Sequence, residues 1–251
     1  MKLRLLTLII IILMITPAFS QVEGQHDLDL EWGVEVGDEI TYVLQRKYLD
    51  EQMGQMIQQF MPFITRIDAG QKVIARVDYL PEIEENSTYS MFSGANCSII
   101  RENDSEILME NMSMFVIPLG IWNMNQSEPN ETNETRTQTM FGGFEMYNDT
   151  NEWGMTMSGD MWVAIFHIVF NMKILYYKMN GTLNRMEMKV DISGTPSVDI
   201  LFVQWKPNMA TIVPMDFPIW PVIIYSSVGV VVVLIIVFLW RRRRKRVVVQ
   251  E

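Results

Sequence analysis

From Ile40 the chain alternates. Ile40, Tyr42 and Leu44 fall on one side of an extended segment and Thr41 and Gln45 on the other, which predicts a half-buried strand opened by the Gly37-Asp38 turn. The rhythm then changes. Met53, Met56, Ile57, Phe60 and Met61 recur at helical spacing behind Asp50, a side chain suited to cap a helix, and Pro62 limits or kinks that helix. Alternation returns at Val73, Ala75, Val77 and Tyr79, opposed by Lys72, Arg76 and Asp78, and ends at Pro81. Met114 to Ile117 is a short apolar run that reads as a buried strand ending at Pro118. Met161 to Phe170 is nearly all apolar and rich in β-branched and aromatic residues, so a strand is favoured there too. Ile174 to Ile192 holds two alternating runs about Asn180-Gly181, which predicts a hairpin with a two-residue type I′ turn. Ser197 to Trp205 is a last strand. Pro207, Pro214, Pro218 and Pro221 then predict a stiff, extended stalk. The expected fold is a β-rich α+β domain, an antiparallel sheet packed on one short amphipathic helix.

Both ends break this pattern. Met1 to Arg4 is a basic head, Leu5 to Ile15 is apolar but for Thr7, and Pro17 with Ala18-Phe19-Ser20 completes a secretory signal peptide cut before Gln21. Val222 to Trp240 is 19 residues without a charge, enough for a transmembrane helix that also belongs to the expected fold. Trp220 and Trp240 bracket it at headgroup depth. Arg241, Arg242, Arg243, Arg244, Lys245 and Arg246 place the C-terminal end of the chain in the cytoplasm. The expected layout is therefore a signal peptide (1–20), an extracytoplasmic domain (21–216), a stalk end (217–221), a transmembrane helix (222–240) and a basic tail (241–251). That is a single-pass type I protein whose first partner is the lipid bilayer.

Charge sharpens this. Between Gln21 and Trp240 there are 29 acidic side chains against 12 basic ones, a surface that repels nucleic acid and anionic headgroups. Within that segment the chain carries nine Asn-x-Ser/Thr triplets, at Asn86, Asn96, Asn103, Asn111, Asn125, Asn130, Asn133, Asn148 and Asn180. With 14 Asn, and Ser and Thr together about one residue in nine, chance supplies between one and two such triplets. The excess, lying between an export signal and a membrane span, reads as an N-glycosylated surface. Asn125 to Thr139 reads as a solvated, mobile loop. The single cysteine, Cys97, excludes an intrachain disulfide and reads as a small apolar filler.

Candidate chemistry is sparse. His26 and His167 are the two histidines, and His167, inside an apolar run, reads as a core residue. Asp27, Asp29 and Glu31 share one side of an extended segment but lack the glycine and distal glutamate of a calcium loop. Met155, Met157 and Met161, with Met186 and Met188, are thioethers of the kind that hold Cu(I); with no exposed cysteine or histidine expected nearby they read as core filler. The basic tail can also attract anionic lipid, although orientation alone accounts for it. No metal or cofactor is expected and no catalytic residue is marked.

Trp32-Gly33-Val34, Gly37-Asp38 and Tyr42, with the later Tyr177, Asn180-Gly181 and Leu183, resemble patterns in secreted, membrane-anchored archaeal surface proteins of uncharacterised function. Those proteins end in a similar Val/Ile helix and basic tail. The resemblance implies a surface location and supplies no active site. The expectation is a non-enzymatic surface glycoprotein that binds a partner, such as another surface protein, or serves the envelope. The alternatives are an exported, membrane-tethered hydrolase with an unmarked site and an accessory subunit of a membrane complex, for which Ser226, Ser227 and Gly229 would offer a helix face.

Overall fold

Two strand meanders share one sheet, and the first and last strands join them. The computed structural model describes residues 30–83, 94–122, 136–139, 142–163 and 166–215. In chain order these form β1 (Glu39–Leu49), α1 (Glu51–Phe60), α2 (Pro62–Thr65), β2 (Lys72–Tyr79), β3 (Asn96–Arg101), β4 (Ile107–Met112), β5 (Arg136–Thr139), β6 (Gly142–Asn148), β7 (Glu152–Val163), β8 (Phe166–Tyr177), β9 (Leu183–Ile192) and β10 (Thr195–Gln204). The sheet has ten strands in the order β4-β3-β2-β1-β10-β9-β8-β7-β6-β5. Every pairing is antiparallel. The domain is β-rich, as its alternating sequence predicts.

One face of the sheet is the core. Ile40, Tyr42 and Leu44 of β1 point inward beside Val73, Ala75 and Val77 of β2 and Val198, Ile200 and Phe202 of β10. Tyr42 stacks on Phe202 with ring centres 5.2 Å apart, and Phe115 meets it edge-on at 5.1 Å. The helices lie on this face. Asp50 caps α1 by accepting the Met53 amide at 2.8 Å, and Met53 and Ile57 are buried beneath it. Phe60, on the same predicted stripe, is half exposed instead. Pro62 does not merely stop α1. It opens α2, where a missing N–H costs no helical bond, and so carries Phe63 and Ile64 into the core.

The opposite face is largely polar, with Trp162 and Val169 exposed on it, and it carries a buried apolar patch near β1 and β10. There Val43, Leu201 and Val203 are covered by Trp205 and Met209. The chain after β10 runs across them, held by Gln45 Nε2 donating to the Ala210 carbonyl at 2.5 Å and the Val213 amide donating to the Gln45 carbonyl at 3.1 Å. Residues up to Val213, Pro207 among them, therefore belong to the domain rather than to a free stalk.

Four readings from the sequence are corrected. Met114 to Ile117 is buried but is not a strand. Its backbone bonds go to two segments: Ala95 donates to Val116, and a pair, from Ile117 to Gly181 and from Leu183 to Phe115, flanks one isolated bridge between Val116 and Thr182. Met161 to Phe170 is not one strand but the end of β7 and the start of β8, in register from Glu152↔Tyr177 to Val163↔Phe166. The triplet-rich region contains β3, β4, β5 and β6, so Arg136 to Thr139 is strand rather than loop. The Asn180-Gly181 turn is longer than two residues. Gly181 alone of the two is left-handed, at φ +68°, and the Gly181 amide reaches back to the Tyr177 carbonyl at 2.8 Å within the five-residue connection, 178–182, between β8 and β9. Among the described residues no helix is long and apolar enough to cross a membrane; the expected span Val222–Trp240 lies outside them.

Candidate functional site

The β1–β10 pairing builds a hollow at the end of the sheet where β1 starts and β10 stops. Trp205 donates its amide to the Thr41 carbonyl at 2.9 Å, which fixes the segment after β10 against the start of β1. The β8–β9 loop closes the third side, packed so tightly that a side chain on Gly33 would lie 2.7 Å from the Asn180 Cα. The hollow is open, with a volume of about 440 Å³. Its interior is uncharged and polar: Asn180 Oδ1 accepts from the Thr182 hydroxyl at 2.8 Å, and that hydroxyl lies 3.4 Å from Gln204 Oε1. Trp205 forms an aromatic wall, with Lys72 Nζ 3.6 Å above its ring, and Asp38 and Glu39 sit at the rim. Amides, a hydroxyl and an indole can hold a small polar ligand. They supply no nucleophile with a base beside it.

A second group lies on the polar face, at the far end of β7 and β8. His167 Nε2 contacts the Asp160 carboxylate, and its ring stacks on Trp162 with centres 4.8 Å apart. Trp162 is 70% exposed, so this histidine is a surface residue and not the core residue its apolar surroundings suggest. Ser193 completes an outline of a Ser-His-Asp set without its alignment. Its Oγ accepts from the His167 backbone amide at 3.3 Å rather than donating to the ring.

Between these two lies a charge network that no local motif announces. Arg46, displaced by the bulge between Leu44 and Arg46, pairs with Glu187 at 2.6 Å and Asp199 at 3.2 Å. Arg185 and Lys189 approach the same Glu187 at 2.6 and 3.3 Å. Burial pushes the Glu187 carboxyl up, but Arg185 and then Lys189 outweigh it and hold it below the usual carboxylate range. Arg46 and Asp199 are buried, so their mutual neutralisation is a condition of this face folding.

The expected glycan acceptors are scattered. Asn103 in the β3–β4 turn, Asn111 in the edge strand β4 and Asn148 at the end of β6 are exposed. Asn96 and Asn180 are half-buried, and the hydroxyl residues of their triplets are buried: Ser98 donates to Asp78, and Thr182 bonds Asn180 itself. The predicted solvent-facing position of Asn180 is thus corrected; its loop packs against Gly33. Asn86, Asn125, Asn130 and Asn133 lie outside the described residues, as do Trp220, Trp240, Arg241 to Arg246, His26, Asp27 and Asp29. Glu31 is exposed, and its backbone bridges to Leu119. Cys97 is buried as expected of a filler. Among the described residues, no three His, Cys, Asp or Glu side chains gather as a metal site.

Compared with protein-family models, with curated proteins and with solved structures, the chain matches none.

Proposed function

We propose that this is a single-pass, type I cell-surface glycoprotein whose exported domain binds a partner through its polar sheet face. The observation that carries the reading is the distribution of acceptor triplets. Strands β7, β8, β9 and β10 contain none, whereas among the described residues the exposed ones sit in a turn, in an edge strand and at a strand end. A face kept free of glycans on an otherwise decorated domain is available to a large partner. The export signal, the charge-free 222–240 segment and the basic tail supply the anchoring half of the reading.

The rival reading is a tethered hydrolase, favoured by the Asp160–His167 contact. Its weakness is geometric, since the Ser193 hydroxyl faces a backbone amide and the pair stands open to water. One experiment addresses location. Protease added to intact cells should degrade the whole domain and leave only a small membrane fragment, and a domain that survives while other surface proteins are digested would defeat the proposal. A second addresses binding. The labelled segment Gln21–Asp216 should bind saturably to cells lacking the protein, and Trp162→Ala on the open face should weaken it. A hydrolase would keep its binding and lose turnover with Asp160→Asn.

A further inference from the structure

Methionine is distributed unevenly over the core face. Strands β1, β2, β3 and β10 contain no methionine and fill that face with Ile, Val, Leu, Tyr, Phe, Ala and Cys97, while edge strand β4 brings Met109 and Met112 against it. Strands β6 to β9 carry seven. Register then places six of these side by side. Met157 pairs with Met172, and Met172 with Met188, a row across three strands. In the neighbouring row Met146 pairs with Met155, and Ile174 lies between Met155 and Met186. Directly opposed residues in an antiparallel pair share a face, with Cβ atoms about 4.5–5.5 Å apart. The three sulfurs of the first row are therefore on adjacent strands, each at the end of a flexible side chain that can lean toward the middle one.

Packing alone does not ask for methionine here. It is a weaker strand former than the Val and Ile used elsewhere on the same face. Met157, Met172 and Met188 are also only half-buried, so an exported protein carries them at risk of sulfoxide formation, which leucine would not incur. A feature that costs stability and invites oxidation calls for a use of sulfur. Uncharged thioethers select soft monovalent metal over zinc, calcium or magnesium. The excess of carboxylates on the exported segment raises the local concentration of any cation.

We propose that the Met157–Met172–Met188 row is a site for Cu(I), bound through thioether sulfur with no change of oxidation state. A shell of thioether sulfur alone is itself selective, because cysteine or histidine ligands would also admit zinc. The test uses the full chain in detergent micelles, without chloride or thiol, titrated with Ag(I) as the redox-inert probe and then with Cu(I). One tight equivalent is expected, with a sulfur-only shell in the X-ray absorption spectrum of the Cu(I) form. Met172→Leu and, separately, Met188→Leu conserve volume and should each weaken binding by about tenfold or more. Met179→Leu, 83% exposed in the β8–β9 loop, should leave it unchanged, and so should Cys97→Ala. The proposal is overturned if no tight equivalent appears, if it survives both row substitutions in folded protein, or if it disappears with Cys97→Ala.

Discussion

Gly181 allows the packing of the β8–β9 loop to be measured separately from its backbone strain. Gly181 and Gly194 are both left-handed, at φ +68° and +79°. An alanine in that region costs about 1–2 kcal/mol at either position. They differ in what a side chain would meet. A Cβ on Gly194 finds nothing within 4 Å, whereas on Gly181 it would lie 2.1 Å from the Ile117 carbonyl oxygen. That oxygen is backbone in a fully buried residue and cannot swing aside. Making room separates the two segments and breaks the bond from the Ile117 amide to the Gly181 carbonyl, 2.9 Å long. The lost bond and the buried groups it strands add about 2–4 kcal/mol. Gly181→Ala should therefore cost about 3–6 kcal/mol against about 1–2 kcal/mol for Gly194→Ala. The change in the unfolded chain is the same for both and drops out of the comparison. At about 2–4 °C per kcal/mol for a domain of this size, the two melting temperatures should differ by roughly 4–16 °C. Calorimetry on the Gln21–Asp216 segment measures it. Equal, small losses would mean that the loop does not rest on Ile117, and the close approach of Gly181 to that carbonyl would be wrong.

Three other outcomes rest on single sites. Glu187→Gln should destabilise by about 2–4 kcal/mol, because buried Arg46 loses its 2.6 Å contact with a charged carboxylate. Since the folded Glu187 carboxyl is held low, its contribution is complete above the ordinary glutamate pKa of about 4.3 and is lost as pH falls through the lower folded value; melting temperatures of wild type and Glu187→Gln should converge on acidification, and parallel curves would contradict the network. Site-resolved mass spectrometry of protein from native membranes should find glycan at Asn103, Asn111 and Asn148 and none at Asn180, whose loop is packed against Gly33; full occupancy at Asn180 would refute the docked loop. Burial raises the Cys97 thiol to about 12, so iodoacetamide at about pH 8 should label it only after denaturation, and labelling of the native protein would place it outside the core.

Elements with a clean period were legible in the sequence. β1, β2 and β9 show alternation because one side of each faces the core, β10 shows a continuous apolar run because it is buried on both faces, and Asp50 marks α1 because an N-cap is a local device. What failed to show was non-local or lacked local punctuation. β7 and β8 meet at Val163 and Phe166 with no Gly, Pro, Asn or Asp between, so a hairpin read as one apolar run. β3 and β4 are six residues each and overlap acceptor triplets, whose polar residues hide the alternation. Met114 to Ile117 is apolar because it packs into the core, yet burial does not dictate a ladder; its backbone bonds are split between Ala95 and the segment Gly181 to Leu183. His167 reads as core because its strand alternates, and the Ile and Val on one side dominate the pattern while His167 sits on the other with Trp162.

The hollow and the charge network were illegible for one common reason, the pairing of β1 with β10. Tyr42 meets Gln204 and Leu49 meets Val198 across that seam. No local feature of either strand names the other as its partner. Yet the seam brings Arg46 to Glu187, a pair 141 residues apart, sets Trp205 against Thr41 to wall the hollow, and completes the sheet that aligns the methionines of β7, β8 and β9 with the aliphatic half of the core. The β1 bulge adds a second hidden step. By inserting one residue it turns Arg46 to the polar face and leaves Lys47 on the core side, where its ammonium reaches the carbonyls of Thr65, the last residue of α2, and of Ile67 at 3.2 and 2.5 Å. Two consecutive cations are thus divided between opposite faces of one strand. Lys47 closes the end of a helix, and Arg46 anchors the charges of the face on which a partner would rest.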